Sequence, residues 1–159
     1  MVRFQRRSAG LLIYKFSKEG NLKFFIVHPG GLFWKDREIG AWSIPKGEIE
    51  EGEEDLLEVA KRELKEETGI DAPEDEEEFI DLGEVTQKSG KVVRAWAFEG
   101  DWTGLLMCSS WVDVEWNGQE IRIPEIDKAG FFSIEKVKVL INPAQVELVE
   151  RLVGKINAE

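Results

Sequence analysis

The chain has 159 residues, 42% of them hydrophobic and 33% charged, and carries a formal net charge of −11. That length suits a single domain over residues 1–159 with a substantial core, while the acidic balance argues against gripping nucleic-acid phosphates or an anionic membrane. One cysteine, Cys108, rules out an internal disulfide and suits a reducing compartment; with a single histidine, there is no His/Cys set for zinc.

An apolar run from Leu11 to Tyr14 is too short for a membrane span or a signal-peptide core, so a cytoplasmic location is expected. Ser8 to Phe16 and Asn21 to His28 read as strands joined by a Ser17–Gly20 turn. Pro29-Gly30-Gly31 breaks the second strand, and a loop with Phe33 and Trp34 leads to a short strand at Ala41–Ile44. Pro45-Lys46-Gly47 ends that strand and opens a loop running to Gly52. From Glu54 to Thr68 the periodicity is helical, with Leu57, Ala60 and Leu64 as apolar positions and Gly69 as the stop. The acid run Glu74–Glu78 reads as a solvated loop.

Strands follow at Phe79–Val85 and Val92–Glu99, and Asn117-Gly118 marks a hairpin between Trp111–Trp116 and Ile121–Ile123. Phe131-Phe132 reads as a short strand, Ser133 as the cap of a helix from Ile134, and Pro143 as the start of a last helix carrying Val146, Val149 and Leu152 on one face. The fold class is α/β in the sense of an α+β sandwich: a mixed sheet flanked by the acidic helix and the C-terminal helix.

Glu63, Glu66 and Glu67 stand three and four residues apart, so their carboxylates share one helical face. Like charges so placed destabilise an isolated helix. A hard divalent cation, which prefers oxygen ligands and shares them with substrate phosphates, would offset that repulsion. Taken alone, the cluster would be read as a solvated, charge-rich helix.

Gly47, Glu53, Arg62, Glu63, Leu64, Glu66, Glu67, Gly69 and Ile70 together resemble the Nudix box. Its pattern is a Gly, five residues, a Glu, seven residues, then Arg-Glu-aliphatic-x-Glu-Glu-x-Gly-aliphatic. One departure stands out: eight residues separate Glu53 from Arg62, whereas Glu54 fits the spacing after a loop longer by one. Loops absorb insertions and helical faces do not, which places the extra residue at the loop–helix junction and leaves Glu53 and Glu54 as alternatives. The resemblance covers nearly the whole chain, from the Ser-Ala-Gly of the first strand through Trp-Ser-Ile-Pro-Lys-Gly to Ala-Gly-Phe-Phe-Ser.

The resemblance implies a Nudix fold and hydrolysis of a nucleoside diphosphate linked to another group, with Mg2+ or Mn2+ as cofactor. It implies Glu63, Glu66, Glu67 and the Gly47 carbonyl as metal ligands, and Glu63, Arg62 and Glu53 as the catalytic set, with Arg62 orienting the glutamates. Pro-Lys-Gly around Lys46 is similar to the form found in hydrolases of dinucleoside polyphosphates, which favours those substrates or nucleoside triphosphates.

Lys46, Trp34 and His28 are candidates for substrate contact, and Phe33, Trp42 and Trp96 for stacking on a base. The resemblance also implies a further acid from outside the helix, for which Glu115 and Glu125 are the candidates. The expected partner is a small nucleotide or polyphosphate, with no nucleic acid or membrane, and the protein a monomer or homodimer. The alternative reading is a silent Nudix domain that binds nucleotide or protein as a regulator.

Overall fold

A computed structural model describes residues 6–158. In chain order the elements are strand β1 (Arg7–Phe16), β2 (Leu22–Pro29), β3 (Lys46–Glu48), helix α1 (Leu56–Thr68), β4 (Ile80–Thr86), β5 (Val92–Glu99), β6 (Trp111–Trp116), β7 (Gln119–Pro124), β8 (Ile126–Ser133), α2 (Ile134–Leu140) and α3 (Val146–Asn157). The main sheet runs β4-β5-β1-β2-β8, and β3 joins it on β1. β1 pairs parallel with β5 and antiparallel with its other neighbours, so the sheet is mixed.

Both faces of this sheet are covered, which is why its central strands are nearly continuous apolar runs. Alternate residues point to opposite faces. Leu11, Ile13, Phe25 and Val27 pack under α1 with Val59, Ala60 and Leu64. Leu12, Phe24 and Ile26 pack on the other face with Val137, Leu148, Val149 and Leu152 of α2 and α3. The expected sandwich, a mixed sheet between the acidic helix and the C-terminal helix, is therefore the observed one. No helix among the described residues is long and apolar enough to cross a membrane.

Three sequence expectations shift. The strand placed at Ala41–Ile44 is only a pair of isolated bridges, Ser43 to Val27 and Trp42 to Ile141. The regular strand comes after Pro45, at Lys46–Glu48, where Gly10, Ala9 and Ser8 of β1 supply its ladder. Gly10 is required there, because a Cβ would lie 2.7 Å from the Pro45 carbonyl oxygen. The short strand at Phe131-Phe132 is the end of the eight-residue β8. Asp127, Lys128 and Gly130 hide its apolar alternation, and pairing along β2 overrides their weak strand preference. The acid run Glu74–Glu78 contains a single 3-10 turn, Glu76–Glu78, capped by Asp75.

Candidate active site

α1 starts at Leu56 rather than Glu54, because the Asp55 carboxylate accepts the backbone N–H of Glu58 and caps the first turn. Gly69 ends it at φ 83°, a left-handed conformation that glycine adopts without strain, donating its N–H to the Lys65 carbonyl. One face of the helix is buried, through Val59, Ala60, Leu64, Glu67 and Thr68. The carboxylates therefore stand at the edge of the core, and Glu67 lies inside it, 3% exposed.

Arg62 organises the exposed side of the cluster. Its guanidinium donates to Glu53 at 2.7 Å and to Glu63 at 3.4 Å, and lies 3.8 Å from Glu66. Glu53 also accepts the Glu50 backbone N–H at 2.9 Å, which folds the loop back onto the helix. These bonds, Arg62 first, hold the Glu53 carboxyl below its ordinary range. Glu54 is exposed and, among the described residues, has no comparable bond. The extra residue thus lies ahead of α1, and the side chain that meets Arg62 is Glu53.

Gly47 is a close neighbour of Glu63: a Cβ on Gly47 would fall 2.0 Å from the Glu63 carboxyl carbon. Next to it, the Lys46 backbone N–H donates to Glu67 at 3.3 Å. Three carboxyls are raised above the ordinary range, all chiefly by burial. Glu63 is raised also by Glu66 and Glu125, and Glu125 by Glu66. Glu67 is pushed up to about 8, with Lys46 opposing the shift and Glu125 and Glu63 adding to it. Burial lowers the Lys46 ammonium in turn.

Two cavities meet here. One, of about 720 Å³, is lined by Glu63, Glu66, Glu125, Gly47, Lys46 and Lys91, among others. The other, of about 450 Å³, shares Lys46 and Glu125 with it and adds Glu67, Trp34, Trp42, Gln87, Asn142 and Gln145. Ser8 and Ser110 line the acid cavity, and their hydroxyl oxygens are the two buried side-chain polar atoms without a hydrogen-bond partner among the described residues.

The donor set is all oxygen, supplied by one helix face with Glu125 opposite, and it suits a hard divalent cation. Beyond burial, Glu66 and Glu125 help raise Glu63, Glu66 helps raise Glu125, and Glu125 and Glu63 help raise Glu67, a repulsion that such a cation would relieve. Among the described residues no three acids already converge on one ligating point. Glu63 is instead turned toward Arg62, and Glu67 toward the Lys46 N–H.

The remaining sequence candidates divide. Trp34, 36% exposed, lines the second cavity, as does Trp42. Phe33 stacks under Arg37, and Trp96 under Arg94, outside both cavities. Glu125 lines both. Glu115 does not reach either: it sits exposed on β6 opposite Glu120, on a two-stranded hairpin. His28 is 0% exposed and lines neither cavity. Its ring nitrogens contact Asp127 and the Arg37 carbonyl, both at 2.7 Å, so it fastens the 30–41 loop to β8 rather than facing a substrate.

Sequence reasoning missed Lys91, Ser109, Ser110, Gln87, Asn142 and Gln145. Apart from Asn142 ahead of Pro143, none stands in a pattern that marks it, since each reaches the site through the fold. Ser109 donates its N–H and hydroxyl to the Glu66 carbonyl at 2.7 and 3.1 Å, strapping the end of α1.

A sequence-family model of the NUDIX domain matches residues 5–152. Among solved structures, the NUDIX domain of Shewanella oneidensis NrtR, complexed with ADP ribose, is 14% identical with a TM-score of 0.68, over 98% of this chain and 90% of that one. A Caenorhabditis elegans Ap4A hydrolase is 18% identical with a TM-score of 0.64, over 97% and 99%. A mutT/nudix family protein from Listeria innocua is 16% identical with a TM-score of 0.62, over 99% and 97%. No curated protein sequence gives a significant match.

Proposed function

The chain belongs to the NUDIX domain family, and from that premise we propose that it is a pyrophosphohydrolase that cleaves a nucleoside diphosphate linked to another group, with divalent-cation assistance. Dinucleoside polyphosphates and nucleoside triphosphates are the favoured substrates. The observation that carries this reading is the junction of the two cavities at Lys46 and Glu125. One side offers carboxylates for a metal-bridged diphosphate; the other offers two indole rings and the amides of Gln87 and Asn142 for a flat, hydrogen-bonding heterocycle.

In this reading Glu63, Glu66, Glu67 and the Gly47 carbonyl hold Mg2+ or Mn2+, and Glu125 is the further acid. The bound cation would supply an acidified water and offset charge on the phosphoryl oxygens. Lys46 neutralises a phosphate at the mouth shared by both cavities. Glu63, raised by burial and by Glu66, is suited to take a proton from the attacking water. Arg62 is a positioning residue, holding Glu53 and Glu63 in place.

The reading is tested by measuring the products released from a panel of dinucleoside polyphosphates, nucleoside triphosphates and nucleotide sugars, with Mg2+ or Mn2+. Cleavage of a pyrophosphate bond in at least one class is expected. No turnover across the panel would overturn the assignment.

A further inference from the structure

Resting on this hydrolase reading, we propose that Gln87 and Asn142 make the second cavity selective for a keto nucleobase, such as guanine or uracil, over adenine. Both side chains line that cavity beside Trp34 and Trp42. The polarity of each amide is set by bonds to the protein on its far side.

Gln145 is fully buried, and its Oε1 accepts the backbone N–H of Ile44 at 2.9 Å. A backbone N–H can only donate, so this bond settles which end of the Gln145 amide is oxygen. Its Nε2 then donates to the Ser43 hydroxyl at 3.0 Å and to Gln87 Oε1 at 2.9 Å, which uses both amide hydrogens. Gln87 is thereby held with its oxygen toward the protein. Its Nε2 has no partner among the described residues.

Asn142 repeats the arrangement. Its Oδ1 accepts the Ala144 backbone N–H at 3.0 Å, again a group that can only donate. Its Nδ2 is the end left unpaired among the described residues. Two further polar groups of the lining are already committed to the protein. The Trp42 indole N–H is committed to Glu38 at 2.7 Å, and the Ser43 hydroxyl donates to the Ile44 carbonyl at 2.7 Å. The carboxylates in the lining, Glu67 and Glu125, belong to the acid end, where Lys46 stands.

The heterocycle end therefore offers the amide donors of two residues, Gln87 and Asn142. A base edge carrying a carbonyl oxygen accepts from them. The exocyclic amino group of adenine places a donor against a donor and leaves desolvated N–H groups unpaired, a mismatch worth about ten-fold or more in discrimination.

The test is equilibrium binding of GMP, UMP and AMP without metal, followed by tryptophan fluorescence, on the wild type and on Gln87→Glu and Asn142→Asp. Each substitution keeps the oxygen that accepts from the protein and converts the free donor into an acceptor. The wild type should bind GMP and UMP about ten-fold or more tighter than AMP, and each variant should shift the GMP-to-AMP ratio toward AMP by about the same factor. AMP binding as tightly as GMP in the wild type, or a ratio unmoved in both variants, overturns the inference. If the preference and its reversal are seen but no member of the substrate panel is hydrolysed, this inference stands and the hydrolase reading falls.

Discussion

Glu67, 3% exposed with its carboxyl pushed up to about 8, carries a sign that experiment can read. A carboxyl whose folded pKa lies above its ordinary value of 4.5 holds its proton more tightly in the folded chain. Its stabilising contribution is complete below that ordinary value and is lost as pH rises through about 8. Thermal denaturation in chelator should therefore show the metal-free protein losing stability between about pH 5 and about pH 9, and Glu67→Gln should flatten that fall. A wild-type profile equally flat would contradict the burial argument. Gly47 makes a second test at this scale. Adding a methyl group there drives into the Glu63 carboxyl, the movable end of a flexible side chain, and Gly47 needs no left-handed backbone. Gly47→Ala should keep a melting temperature close to wild type while turnover falls about ten-fold or more, as expected for a displaced reacting group. A loss of stability without loss of turnover would place Gly47 in the ladder with β1 rather than in the site.

Among the elements, the 30–41 loop carries Trp34 to the second cavity, and its attachment runs through His28. Both His28 contacts are to acceptors, and the ring also packs edge-on against Trp42. His28→Leu should cost about 1–3 kcal/mol in denaturant unfolding by leaving the Asp127 carboxylate and the Arg37 carbonyl without their buried partner. KM for substrate should rise through the loosened loop, while kcat stays within about three-fold, because His28 touches no reacting group. A collapse of kcat at unchanged stability would restore a catalytic role. The sequence marked His28 as noteworthy because it is the only histidine, but uniqueness says nothing about which way a strand residue points. Pairing of β2 with β8 decides that, and Asp127 lies 99 residues away. Elements with strong local signals, such as the capped α1 and the Asn117-Gly118 hairpin, were legible from the chain. The bridges at Trp42 and Ser43, and the strand after Pro45, depend on partners in β1, β2 and the segment after α2.

At the scale of the whole molecule, the spacing from Arg62 to Ile70 placed the carboxylates on one face, because helical geometry is local. Glu53 rather than Glu54 became the Arg62 partner only once Asp55 was seen to cap α1. The amide-lined cavity was not legible at all: Gln87 follows β4, Asn142 follows α2, and Gln145 precedes α3. Only the closure of the sheet between its helices brings them together. The acidic charge of −11 is likewise reconciled with an anionic substrate only through the cation-binding chemistry of that junction. That chemistry is tested most directly by the initial rate of pyrophosphate-bond hydrolysis as a function of Mg2+ concentration, for the wild type and for Glu66→Gln. The account predicts a wild-type rate that saturates with Mg2+ and vanishes in chelator, and a variant slower by about a hundred-fold or more at an unchanged melting temperature. A rate indifferent to chelator, or a variant as fast as the wild type, would contradict it.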